Sequence, residues 1–206
     1  MGKDKGGRQV GIGAFPGRLS PNLKYMKFVD GTNFLTQMAE ELKIKLNPYK
    51  PSPESIIFST NWIRAIPPSI TGYVIRNYWF GSYVGDKPYC ATLTKELRNC
   101  NFEPVLFQKI GSKEKGVDIG LAKEMLVNAF NQNFDVGWLF AGDEDYVGSV
   151  KEVKRYGQII NGSFFNQGLS PELEVAFDEF ILLKKDESLL FENQEYRELM
   201  KKSKPI

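Results

Sequence analysis

The 206-residue chain contains no histidine. That excludes Ser–His–Asp and Cys–His nucleophilic catalysis, and every histidine-ligated zinc site. Cysteine is scarce, with Cys90 and Cys100 as the two examples. In "KPYCATLTKELRNCN" they fall with Leu93 and Leu97 at offsets 0, 3, 7 and 10, one face of a helix. Ten helical residues separate them by about 15 Å, too far for a disulfide. Both are expected to be buried thiols in a reducing, cytoplasmic compartment. Long apolar runs are also missing. No stretch reaches the roughly 20 residues of a membrane span, the N-terminus lacks the apolar core of a secretory signal, and no membrane partner is expected. "MGKDKG" has Gly2 but places Gly6 where myristoylation wants Ser or Thr. A strong net charge is lacking too, at +2. The charge is unevenly spread: Lys3, Lys5, Arg8, Arg18, Lys24 and Lys27 against Asp4 give residues 1–27 a charge of +5, leaving −3 for the rest.

What is present suits one ordinary globular domain, 42% hydrophobic. Residues 1–23 are Gly-rich and basic and read as a flexible arm that could follow a nucleic-acid backbone. Their "GIGAFPG" has the wrong spacing for a dinucleotide fingerprint, and no strand precedes it. "KYMKFVD" reads as a first strand ending at Asp30, followed by a helix with Phe34, Leu35, Met38 and Leu42 on one side. "ESIIFSTNWIRAI" is a second helix, and "ITGYVIRNYWFG" a β-branched and aromatic strand. After the cysteine helix comes the strand "FEPVLFQKI". The helix "VDIGLAKEMLVNAF" follows, with Ile119, Ala122, Met125, Leu126 and Ala129 in register. "DVGWLFAG", the short helix "DYVGSVKEVKRY" and "GQIING" add a strand, a helix and a strand, and "SPELEVAFDEFILL" a helix turning extended. Residues 185–206 read as an amphipathic helix or tail. Alternating strands and helices predict an α/β fold with a mostly parallel sheet covered on both faces.

In such sheets, ligands bind outside the carboxyl ends of the strands. Asp30 ends the first strand, Asp143 and Asp145 follow the fourth, and Asp118 opens a helix after a polar loop. If the first and fourth strands are neighbours, these acids converge. Each has a plainer role as well: Asp30 as a turn residue, Asp118 as a helix N-cap, Asp143 and Asp145 at a helix start. Carboxylates without histidine or thiolate partners favour hard cations, Mg²⁺ or Mn²⁺. Two other motifs are excluded. "FVDGTNF" has Phe28 where a haloacid-dehalogenase phosphatase needs its nucleophilic Asp. "GDEDYVG" has Lys154 where an EF-hand needs its twelfth-position Glu.

The stretches "KFVDGTNF", "EKGVDIGLAKEML", "LFAGDEDYVGSVKEVKRYGQ" and "LSPELEVAFDEFILL" resemble, in order and spacing, NYN domains, the LabA-like branch of the PIN-like nucleases. The resemblance covers roughly residues 25–184, and the strand end "YWFGSY" also fits it. It implies a PIN-like, Rossmann-like three-layer α/β/α sandwich over residues 24–184 and a Mg²⁺- or Mn²⁺-dependent ribonuclease. It maps metal-binding and catalytic acids onto Asp30, Asp118, Asp143 and Asp145, with Asn33 as a polar partner. Two positions depart from the family pattern: Ala141 stands where Ser is usual, and Glu124 where Asp is frequent. Substrate contacts are expected from Lys115 and Arg76, and from Trp79 and Tyr83 where strand alternation leaves a ring open to stack a base. RNA is the expected substrate and partner, and a homodimer is allowed. The alternatives are a catalytically weak module that binds RNA or protein, and a nuclease acting on DNA.

Overall fold

The structure is a computed structural model that describes residues 22–67, 72–111 and 116–185, together with residues 197 and 201. Most of the basic arm and of the C-terminal helix expected over 185–206 lies outside the described residues, as does Lys115. The elements are β1 (Leu23–Asp30), α1 (Gly31–Leu42), α2 (Pro53–Arg64), β2 (Gly72–Tyr83), α3 (Lys87–Asn99), β3 (Glu103–Gln108), α4 (Val117–Phe130), β4 (Val136–Phe140), a 3-10 turn (Glu144–Tyr146), α5 (Val147–Arg155), β5 (Ile159–Phe165), α6 (Pro171–Ala176) and β6 (Phe180–Leu183). The helix starts are written locally. Ser52, Asp86 and Ser170 each accept the backbone N–H three residues on, and each is followed by a proline within the first helical turn.

All described strands are parallel, in the order β3-β2-β1-β4-β5-β6. The expected α/β fold with a parallel sheet and helices on both faces is therefore the observed one. Strand alternation divides the core. Tyr25, Val29, Trp79, Trp138 and Phe140 face the layer of α1, α2 and α3. Met26, Phe28, Phe80 and Leu139 face the layer of α4, α5 and α6. A central strand covered on both faces reads as a continuous apolar run, as "MKFV" does but for its lysine. The order reverses between β1 and β4, which pair as Val29 with Phe140. The chain leaves β1 through α1 toward one face and leaves β4 through the 3-10 turn and α5 toward the other. A crevice opens between them at the carboxyl ends.

Two expectations of register are corrected. In α4 the buried residues are Val117, Leu121, Met125 and Ala129, while Ile119 is 76% exposed. Apolar residues stand on the exposed side as well, at Ile119, Val127 and Phe130, so sequence periodicity does not single out one face. The inward face is set by the sheet, where Gly120 comes close against Phe107 and Phe80. In α3, Leu93 and Leu97 are buried as expected, but Cys100 is buried just beyond the helix end and Cys90 is only half-buried.

The lysine inside β1 is a buried charge. Lys27 is 1% exposed. Its Nζ donates to the carbonyl of Ile63 at 2.9 Å, at the C-terminus of α2, where the helix dipole favours a cation. Burial, and then the nearby Arg64 charge, lower its pKa to about 8. The folded state therefore gives up this proton at lower pH than the unfolded chain does. Between pH 8 and 10.5 the unfolded state holds more protons, so stability rises with pH across that window. The gain is on the order of 3 kcal/mol at most. Urea unfolding at pH 7 to 10.5 should show this rise in the wild type and not in Lys27→Met. The variant should be at least as stable at pH 7, because an apolar isostere replaces a buried charge. Parallel pH profiles for the two proteins would refute this reading of Lys27.

Candidate active site

The site is built from three chain segments that meet at the β1–β4 reversal. A cavity of about 340 Å³ there is lined by Asp30, Asn33, Asp118 and Asp143, with Thr32, Thr36, Gln37, Tyr49, Gly116 and Val117. Asp30 is the last residue of β1 and only 4% exposed. Its Oδ1 accepts the backbone N–H of Asn33 at 3.0 Å, so it also N-caps α1. Gly31 follows because no Cβ fits: one there would collide with the Trp79 indole beneath. Thr32 Oγ1 accepts the backbone N–H of Ser82 at 2.8 Å and ties the start of α1 to the end of β2. Asp118 lies in the first turn of α4, whose N-cap is Gly116; it is not the cap itself. Asp143 is exposed, and its Oδ1 accepts the Asp145 backbone N–H at 3.2 Å. Gly142 before it lies against the Gly168 carbonyl, where a Cβ would clash.

One hydroxyl joins two of these acids. Tyr146 Oη lies 3.0 Å from Asp30 Oδ2 and 3.1 Å from Asp118 Oδ1. The two carboxylate oxygens are thus at most about 6 Å apart. Tyr146 is 1% exposed. Burial, then the charges of Asp30 and Asp118, push its pKa far above the ordinary tyrosine range, so the hydroxyl keeps its proton. A phenol has one proton to give, and two acidic oxygens compete for it.

Of the residues singled out in the sequence, Asp30, Asn33, Asp118 and Asp143 are brought together. The others are not. Asp145 is exposed and outside the cavity lining, and meets the site through its backbone N–H. Arg76 pairs in register with Met26, four residues short of Asp30, and its guanidinium lies 5.9 Å from the Tyr78 ring centre. That is roughly 13 Å from the strand end at 3.3 Å per residue. Trp79, 2% exposed, packs edge-on against Phe102 with ring centres 6.0 Å apart, and Gly31 covers it. Tyr83, 8% exposed, packs near Tyr89. Trp79 is enclosed, and Tyr83 borders a separate cavity beside Lys87 and Cys90 of α3; neither lines the acidic cavity, so the expectation of base stacking there is corrected. Tyr78 and Phe80 take the opposite face beside Phe28, as alternation requires. Glu124 bonds Asn128 at 3.0 Å and lies outside the cavity lining.

Two tyrosines of the site were not singled out. Tyr146 is the aromatic that ends the Gly-Asp-x-Asp motif, and that position was its signal. Tyr49 lies in the break "NPYKPSP", where nothing in the sequence marked it. Its ring carries the Lys109 ammonium 3.5 Å from the centre.

A divalent cation fits this donor set in one respect and not in another. All three lining acids offer hard oxygen ligands, and Mg²⁺ commonly takes only one or two carboxylates, completing its shell with water and substrate oxygens. Among the described residues, however, no three acidic or thiol side chains lie close enough to enclose an ion.

Comparison with known proteins follows the same outline. A solved structure of a protein of unknown function from Vibrio parahaemolyticus matches with a TM-score of 0.58 and 18% identity, over 80% of this chain and 94% of that one. At that identity the likeness shows the fold. No curated protein matches the chain. The family model of the NYN domain matches residues 24–184. That span holds every segment lining the acidic cavity, and the chain belongs to the NYN domain family.

Proposed function

We propose that this protein is a Mg²⁺- or Mn²⁺-dependent ribonuclease that hydrolyses RNA phosphodiester bonds at the acidic cavity. The observation that carries the reading is the convergence of Asp30, Asp118 and Asp143, from β1, α4 and the turn after β4, on one cavity at the sheet's switch point. Membership of a family that is generally nucleolytic supports it. Asp30 and Asp118 would hold the cation, in a cavity that Asp143 and Asn33 also line. The cation would supply Lewis-acid stabilisation of the phosphoryl oxygens and a more acidic water. In hydrolysis the water oxygen attacks phosphorus, one P–O ester bond breaks, and the leaving oxygen takes up a proton. The exposed carboxylate of Asp143 can accept the water's proton. Tyr146 sets the spacing of Asp30 and Asp118. Asp145 keeps Asp143 in place through its backbone N–H.

A second reading, a module that binds RNA without cutting it, is favoured by one observation: no three acids enclose an ion among the described residues, and Asp30 and Asp143 already serve as caps. The two readings part at Asp143. Asparagine caps as well as aspartate, so Asp143→Asn should change stability by less than about 1 kcal/mol. In the nuclease reading it should lower Mn²⁺-dependent cleavage of single-stranded RNA by more than the roughly 10–100-fold that even outer partners of a metal site cost. Melting curves should show Mn²⁺ stabilising the wild type through native-state binding, and the variant far less. Equal stabilisation of both, with no cleavage by either, would leave the binding module.

Tyr146→Phe removes the shared donor and almost no volume. Hydrogen bonds to charged groups contribute about 1.5–3 kcal/mol, and a loss in that range is expected by urea unfolding at pH 7. Cleavage should fall about 10–100-fold, as for loss of a group that orients metal ligands. An unchanged unfolding midpoint would show that the hydroxyl bears no part of the Asp30–Asp118 geometry.

A further inference from the structure

Three carboxylates in one cavity repel a polyanion as well as attract a cation. A cation offsets the charge at the reacting phosphate, but the flanking phosphates of a polynucleotide still approach a negative surface. A described ammonium that meets the cavity lining is Lys109, just past the carboxyl end of β3. Its Nζ stands 3.5 Å from the centre of the Tyr49 ring, and that ring lines the acidic cavity. Among the described residues Lys109 forms no ion pair; the three salt bridges there use other groups. The pair is held from behind by consecutive residues at the end of β2. The backbone N–H of Val84 donates to the Tyr49 carbonyl at 2.8 Å, and the backbone N–H of Lys109 donates to the Tyr83 carbonyl at 2.8 Å. Asn47 Oδ1 accepts the Tyr49 N–H at 3.0 Å and fixes the loop that carries the ring.

We infer that Tyr49 and Lys109 form a phosphate subsite on the rim of the acidic cavity, which holds the polynucleotide backbone beside the bond to be cleaved. The physical logic lies in what holds the lysine. A carboxylate partner would neutralise Lys109 and draw it away from an incoming phosphate. An aromatic face holds a cation through its quadrupole and adds no net negative charge. The ammonium therefore keeps its full charge and its N–H donors for an anion. Its stem is pinned at the strand end, so less freedom is lost when a phosphate binds. A lysine contacts phosphate as a point charge and reads no base, so the subsite recognises any single-stranded polynucleotide backbone. The inference rests on the nuclease reading for its substrate, but not for its test.

The test is binding, measured on the non-cleaving Asp143→Asn background with a fluorescent single-stranded RNA of mixed sequence across a salt series. Lys109→Met should weaken binding several-fold and flatten the plot of log K against log salt by about 0.7, the value for one phosphate contact on a single strand. Lys109→Arg should restore both. Tyr49→Leu should behave like Lys109→Met, and Tyr49→Phe, which keeps the ring, like the parent. Inorganic phosphate should compete with RNA for the parent more effectively than for Lys109→Met. In the cleaving protein, Lys109→Met should raise KM and leave kcat near its original value. An unchanged salt slope in folded Lys109→Met, confirmed by its melting curve, would overturn the subsite, as would a fall in kcat at constant KM. Absence of metal-dependent cleavage in the wild type, with the slope change intact, would instead overturn the nuclease reading and leave the subsite standing.

Discussion

The site depends on the parallel pairing of β1 with β4. These strands are far apart in sequence, yet Val29 and Phe140 are register partners. The pairing is driven by burial on both faces: Phe28, Val29, Leu139 and Phe140 are all fully buried. Because β1 and β4 continue into opposite layers, a gap opens between their carboxyl ends. Asp30 and the turn that carries Asp143 border that gap. Moving β4 to another position in the sheet would leave each acid as an isolated cap.

The electrostatics of the gap are graded. Asp30 is almost fully buried and is met by a backbone N–H on one oxygen and the Tyr146 hydroxyl on the other. A buried carboxylate needs such donors, since desolvation without them costs far more than a fold can spare. Asp118 and Asp143 face water, where their mutual repulsion is screened. The repulsion that makes an acid cluster look costly in sequence is therefore concentrated on the Asp30–Asp118 pair, where one phenolic proton lies between the two oxygens. Lys109 completes the gradient at the rim without neutralising it, because it rests on Tyr49.

The capping roles and the site roles of these acids turn out to be the same feature. Asp30 caps α1 and Asp143 caps the 3-10 turn while both line the cavity. A cap fixes a carboxylate's orientation at a helix start, where the dipole favours negative charge. One oxygen goes to the backbone; the other is met by the Tyr146 hydroxyl in Asp30. Lys27 is a different kind of polar burial. It sits three residues before Asp30, on the other face of β1, and serves the C-terminus of α2, with no part in the cavity.

The sequence by itself determined the order of strands and helices, the parallel sheet, and the placing of Asp30, Asp118 and Asp143 at element ends. Those features are local: apolar periodicity, capping residues, and acids that a strand interior rejects. Asp30 was legible as a strand end, whereas its cap on α1 and the close packing of Gly31 on Trp79 emerged only in the fold. Only the tertiary structure decided which aromatics were available. Trp79 and Tyr83 carry the right rings at the right strand end, but sheet alternation turns both under α1 and α3. It also chose the inward face of α4, since that helix has apolar residues on both its inner and outer sides and the sheet selects between them. It excluded Asp145 from the cavity lining and Arg76 from the strand end. Tyr49 and Tyr146 became site residues through contacts across the fold. Tyr146 lies 116 residues from Asp30 in the chain, a separation that no local pattern spans and that only the pairing of β1 with β4 closes.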